Sequence, residues 1–274
     1  MNIVWGGLFT AAVAAVAITA MLWVRRNAPD GGYFADGDRA AGVFGVLATG
    51  FSVMLGFIVF LAFTSYDQSR TGAETEALMV VQQIETAQFL PRAEGAELTG
   101  ELVCYGRSVV NEEWDRMRSG TLGDHFNPWG IEMFQTLQTV EPETATEQSA
   151  YDKWLEQTSA REQARLDRVH GAVGVIPTVL WIVLFFIATV IFAFTLFFAD
   201  SGERAVVQAL LMGSVVSVIV TLMLLLFALD NPFHGGVGGL DPVAMERSLR
   251  LVDEALDAVS GQVPLPCDLD GTPA

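Results

Sequence analysis

The sequence predicts an all-α integral membrane protein: four transmembrane helices in two hairpins, with a helical extramembrane domain that extends spans two and three. Three observations predict it. Four stretches, Asn2–Val24, Ala41–Phe63, Val173–Phe198 and Ala205–Leu229, hold no Asp, Glu, Lys, Arg or His. Each meets the roughly 20 residues needed to cross about 30 Å of hydrocarbon. The net charge of −17 is concentrated outside them. Residues 67–170 carry 19 acidic and nine basic residues, and 230–274 carry eight and two. Finally, the polar segments repeat their apolar residues at helical spacing, and none shows sustained strand alternation. The chain divides into a first hairpin (1–66), an acidic helical domain (67–170), a second hairpin (171–229) and an acidic tail (230–274).

The first span has no basic residue before it, and Arg25 and Arg26 follow it. A secretory signal has the opposite charge order, so an uncleaved anchor with its N-terminus outside is expected. Trp5 and Trp23 sit near its ends, where interfacial aromatics collect. The loop to span two holds Asp30, Asp36 and Asp38 among Gly31, Gly32 and Gly37, and reads as a solvated turn rather than a cation site.

The second span is the organising element. It runs from the membrane into the acidic domain through Tyr66, Asp67 and Arg70. Ala41, Gly45, Ala48, Ser52 and Gly56 share one face. Such stripes let helix backbones approach closely in lipid. The same stripe also suits a pore wall, with Phe57, Phe60 and Phe63 as an apolar constriction that gates by dewetting. The residues leave both readings open.

In the acidic domain, 71–90 continues span two as far as Pro91. A second helix over 93–118 aligns Leu98, Leu102, Tyr105, Val109 and Trp114 on one stripe. Asn127-Pro128 is an N-cap and first-turn pair opening a helix to Val140. The polar stretch 143–170 runs towards span three, with Pro177 at the entrance. Glu112 and Glu113 are adjacent and therefore diverge on a helix, so they read as a solvated edge.

Span four carries Ser214, Ser217 and Thr221 on one face, with Gln208 about a turn and a half earlier. Interhelical hydrogen bonding is the favoured reading and polar pore lining the alternative. At its exit, Asp230, Asn231, Pro232 and Phe233 break the helix. A short helix over Pro242–Val259 follows, with Val243, Leu249, Val252 and Leu256 placed to dock it. The proline-rich end reads as frayed.

Cys104 and Cys267 lie on the same predicted membrane face, so a disulfide is possible if that face is oxidising. His125, His170 and His234 show no metal-ligand spacing, and no nucleophile elbow, phosphate loop or HExxH appears. No enzyme, cofactor or metal is expected. No ionisable residue lies within a span, which argues against a proton-coupled pump. The acidity argues against nucleic acid as a partner. Arg25, Arg26, Arg39 and Arg204 sit in the two loops opposite the acidic domain. The positive-inside rule makes those loops cytoplasmic, against the opposing Arg161, Arg165 and Arg168. This places both termini and the middle domain outside a bacterial inner membrane.

The segments 43–63, Glu76-Ala77, 105–114 (YGRSVVNEEW), 165–181 (RLDRVHGAVGVIPTVLW) and 228–237 (ALDNPFHGGV) resemble the bestrophin-like family of bacterial four-span membrane proteins. Leu55-Gly56-Phe57, Tyr66-Asp67 and Arg70 echo the second span of bestrophins. That resemblance implies an oligomeric ion channel with span two lining the pore and inorganic ions as cargo. It also implies a cytoplasmic middle domain, opposite to the charge-based placement. The expected partners are the lipid bilayer, further copies of the chain and ions. The rival expectation is a non-conducting membrane scaffold or envelope accessory protein whose acidic domain binds a partner, or a membrane sensor.

Overall fold

The computed structural model describes residues 3–29, 31–121, 127–258 and 263–274. Asn2, Asp30, His125 and Val259, which figure in the expectations above, lie outside the described residues. Nine α-helices are present among them: α1 (Ile3–Arg26), α2 (Gly37–Ala87), α3 (Arg92–Ser108), α4 (Trp114–Arg118), α5 (Pro128–Thr139), α6 (Ala145–His170), α7 (Thr178–Leu196), α8 (Ala205–Asp230) and α9 (Val243–Ala258). A π-helical turn over Val109–Glu113 joins α3 to α4. The chain forms two compact units, divided at Ser65/Tyr66 within α2 and again at Val173/Gly174.

Among the described residues, four helices are long and apolar enough to cross a membrane: α1, α7 and α8 of the first unit, and α2, whose part up to Ser65 lies in that unit; the protein is a multi-pass membrane protein. α1 packs along α8 through Ala17, Met21, Met212 and Val216. Phe51, Leu55, Ile58 and Ala62 of α2 are buried against Leu184 and Ile191 of α7 and Met223 and Leu226 of α8. The two hairpin turns meet. The Arg25 guanidinium donates to the carbonyls of Ser201 (2.9 Å) and Glu203, and the Asp200 carboxylate accepts from the Gly31 amide at 3.1 Å. Phe34 and Phe44 stack on Phe194 beside them.

α2 is continuous for 51 residues, about 77 Å at 1.5 Å per residue. The counterpart in span three is not continuous. α6 ends at His170, a 3-10 turn covers Gly171–Val173, and α7 begins only after Pro177. The reasons are local. Gly174 adopts a φ of +71°, a left-handed conformation that costs glycine little. Pro177 then supplies the extended entry to α7. Span three is therefore shorter than expected, 19 residues, which still crosses about 28 Å.

In the second unit, the predicted stripe Leu98, Leu102, Tyr105, Val109 and Trp114 is buried throughout. Val109 and Trp114 are five residues apart, which is out of phase in an α-helix. The π-helical turn adds the missing residue and brings Trp114 back to the core, together with Glu113. α5 opens as expected, with Asn127 accepting from the Trp129 amide at 3.2 Å. α6 opens on a capping box between Thr144 and Glu147. α9 docks through Met245 and Val252, while Val243 stays half exposed. The end of the chain is not frayed over 263–274. It folds back into a turn in which the Asp268 carboxylate accepts from the amides of Asp270 and Thr272.

Candidate functional site

Four features of the two units could carry function: one face of α2, the exit of α8, a buried ionic cluster, and the tail. α2 presents two contrasting faces within the membrane. The face bearing Phe51, Leu55, Ile58 and Ala62 is buried. Among the described residues, little packs against the small-residue stripe. Gly45, Ser52 and Gly56 are exposed, Ala48 is half buried, and a Cβ added at Gly45 or Gly56 would meet no atom within 4 Å. Phe57 and Phe60 are each 63% exposed and Phe63 50%. Packing within the described residues therefore leaves most of the stripe uncovered.

The polar residues of span four divide. Ser214 and Thr221 are exposed and Ser217 half buried. Ser214 donates to Leu210 of its own helix at 2.8 Å rather than to a neighbouring helix. Gln208 does not share their face. It is buried on the Met212 and Val216 side and donates to the Asp200 carbonyl (3.0 Å) and the Glu203 carboxylate (3.2 Å), tying down the α7–α8 turn. At about 100° per residue Gln208 stands opposite Ser217 and a third of a turn from Ser214, so the four are not one surface.

The exit motif of α8 is an anchor. The Asp230 carboxylate accepts from the amides of Val175 (2.7 Å) and Ile176 (2.9 Å) and from Trp181 Nε1 (3.3 Å). A carboxylate there satisfies amides at the head of α7 and complements its dipole. Asn231 closes the last turn on Phe227. In the other unit, Pro232 accepts from the Leu240 amide at 2.7 Å, and Phe233 packs edge-on against Trp114.

The second unit contains an ionic cluster that sequence reasoning missed. Arg168, Glu76 and Glu113 are fully buried. Arg168 donates to Glu76 through Nε and Nη2 and to Glu113 at 2.6 Å. Tyr105 donates to Glu76, and Asn127 and Arg165 donate to Glu113 at 3.0 and 3.2 Å. Burial alone would lower the pKa of Arg168, but Glu76 and Glu113 outweigh it and raise it, so the guanidinium stays charged. Burial likewise pushes Glu113 up, and Arg168 with Arg165 more than reverses this to hold it below the ordinary carboxylate range. Glu113 is thus no solvated edge. Its neighbour Glu112 is, pairing with Arg116 at 2.9 Å. A signal was present: Arg161, Arg165 and Arg168 are spaced four and three, one face of a helix. Gly72 permits the close approach, since a Cβ there would meet the Ala164 carbonyl at 2.7 Å and the Arg168 backbone.

Cys104 and Cys267 form a disulfide. It fastens the tail to α3, beside hydrogen bonds from Trp129 to the Gly271 carbonyl (2.7 Å) and from Arg107 to the Asp268 carbonyl (3.1 Å). Among the described residues, no group of three or more His, Cys, Asp or Glu is placed to hold a metal ion.

A Bestrophin-like domain model matches residues 7–238, most of the chain. The chain belongs to the Bestrophin-like family. No curated protein matches it by sequence. Among solved structures, a bacterial bestrophin homologue from Klebsiella pneumoniae superimposes with a TM-score of 0.66 at 13% identity, covering 96% of this chain and 100% of that one. A single-substitution variant of a bacterial bestrophin homologue from Klebsiella pneumoniae gives 0.66 at 13%, covering 92% and 99%. At that identity the likeness is one of fold. This bestrophin-like protein and the homologue share a fold with little sequence in common.

Proposed function

We propose that the protein is an oligomeric, passive ion channel of the bacterial inner membrane, with α2 nearest the axis. The observation that carries this reading is the unpacked α2 face. Glycine and serine leave room for water along it at Gly45, Ser52 and Gly56, and Phe60 and Phe63 follow as a hydrophobic ring when several copies surround an axis. A single chain cannot close such a path, so oligomerisation is part of the proposal. The absence of acidic and basic residues from the four apolar stretches fits passive flow rather than coupled transport. The acidic residues of 67–170 and 230–274 concentrate cations on their face of the membrane, and a cation preference follows.

We place that face outside the cytoplasm, because a disulfide persists in an oxidising compartment and Arg25, Arg26, Arg39 and Arg204 mark the opposite loops. Alkaline phosphatase fused at Gly120 should be active and at Gly202 inactive; the reverse pattern overturns the orientation. Conduction is tested by planar-bilayer recording of purified protein. Phe60→Ala should raise unitary conductance several-fold. No conductance from the wild type, together with a monomer in detergent sizing, overturns the channel.

A further inference from the structure

The second unit holds a cleft of about 440 Å³ between α5 and α6, within the size range of small-molecule sites. Ile131, Met133, Phe134, Leu137, Trp154 and Leu155 supply its apolar wall. Ile131, Phe134 and Leu155 are left substantially exposed. Two arginines, Arg161 and Arg165, stand in the same lining.

The charges around it are unevenly buried. Arg168 pairs with the buried carboxylates of Glu76 and Glu113, and Arg165 pairs with Glu113. Arg161 pairs with neither; its carboxylate partner is Glu162, which is half exposed. Arg161 itself is 1% exposed. Its partners are the neutral Gln83 (2.8 Å), the sulfur of Met133, the ring of Tyr105 at 4.8 Å and the half-exposed carboxylate of Glu162 at 3.2 Å. The Nε atoms of both Arg161 and Arg165 are buried and donate to nothing. A buried guanidinium without a buried counter-charge is expensive, and a stranded donor adds to that cost. An anion entering beside Arg161 would relieve both.

We propose that this cleft binds a small amphiphilic anion, an acidic head group on a compact apolar or aromatic body, with the head paired to Arg161 in competition with Glu162. The buried Arg161 guanidinium, whose carboxylate partner faces solvent, selects the head, and the α5–α6 wall selects the body. A free carboxylate and a lipid-borne phosphate share the head-group chemistry. The volume favours the free molecule, because a two-chain lipid needs more room than the cleft provides. The site is independent of conduction, and a failed bilayer recording leaves it standing.

The probe is 4-phenylbutyrate, titrated calorimetrically and by tryptophan fluorescence into the full-length protein in nanodiscs of neutral lipid, against empty nanodiscs. Saturable binding is expected, at least tenfold tighter than for 4-phenylbutanol, which keeps the body and loses the charge. Hexyl phosphate should compete. Nanodiscs containing anionic lipid should not, and competition there reassigns the head group to a lipid. Arg161→Gln should weaken binding at least tenfold, and Glu162→Gln should tighten it. Should Arg161→Gln fail to fold, Phe134→Asp at the exposed rim places a repelling charge without touching the core, and should abolish binding. The proposal is overturned if the wild type shows no saturable binding, as it would were a second copy of the chain seated over the cleft. Equal affinity for the alcohol, or indifference to both Arg161→Gln and Phe134→Asp, also overturns it.

Discussion

Replacing Arg168 by Met removes the one cation shared by two fully buried carboxylates. Arg168, Glu76 and Glu113 have no side-chain exposure, so neither acid can recover its interactions from water. Glu113 keeps Arg165 and Asn127. Glu76 keeps, among the described residues, the hydroxyl of Tyr105, and carries the uncompensated charge. Breaking a buried pair by removing one partner costs about 3–5 kcal/mol. With a urea slope of about 2 kcal/mol/M for a unit this size, the unfolding midpoint of Arg168→Met should fall by roughly 1.5–2.5 M. The assay is urea denaturation of the full-length protein in micelles, followed by tryptophan fluorescence; Trp114 lies 5.6 Å from the Arg168 guanidinium and reports directly. The variant Arg168→Met/Glu76→Gln should recover more than half the loss, since a neutral amide in place of the stranded charge removes most of the penalty. Wild-type stability from Glu113, whose folded pKa is lowered, is present above the ordinary carboxylate value of 4.5 and is lost as pH falls through the folded value. A midpoint shift under about 0.3 M for Arg168→Met, or no recovery in the double variant, would falsify the account of this cluster as a coupled ionic unit.

Three further outcomes are expected. Cys104→Ser should lower stability by at most about 5 kcal/mol, the chain-entropy value for a bridge of this span, and less in a bilayer, where the unfolded chain is already shortened by the inserted α7–α8 hairpin. A slower band on a non-reducing gel and protease cleavage of the tail check it. Gly72→Val should prevent α6 from seating on α2, because a Cβ there meets backbone rather than a flexible side chain. A drop of several degrees in Tm or loss of soluble-domain protease resistance is expected, whereas Gly45→Val, with open space around it, should leave Tm unchanged. Glu101 is buried beside Thr136, and burial raises its pKa to about 7, with the nearby Glu97 and Glu132 adding to the rise. The folded state then holds a proton that the unfolded state releases, so stability is full below the unfolded value of 4.5 and declines as pH rises through about 7. Glu101→Gln should flatten that slope in a pH series of thermal melts.

Much of the architecture was legible because it is written locally. Asn127-Pro128 opens α5 because an Asx side chain caps the helix and proline suits its first turn. The Leu98–Val109 stripe is buried because helical period alone aligns it. Local reasoning failed where the helix changed period. The π-helical turn over Val109–Glu113 re-phases the chain, and Glu113, read as a solvated edge, went inside. The break before span three was half visible: Gly174 and Pro177 mark it, yet the run of apolar residues overrode them in the reading. Gln208 was misplaced because its role is set by the turn it fastens, not by its spacing from Ser214.

By itself the sequence determined the four spans, the acidic helical domain and the length of α2, since hydrophobicity, charge and helical periodicity act between residues a few positions apart. Only the tertiary structure decided that Glu76 meets Arg168 across 92 residues. It also decided that Cys104 closes on Cys267 across 163, and which face of α2 is left unpacked. Those outcomes depend on the approach of helices distant in the chain, and no spacing rule along one helix contains that distance.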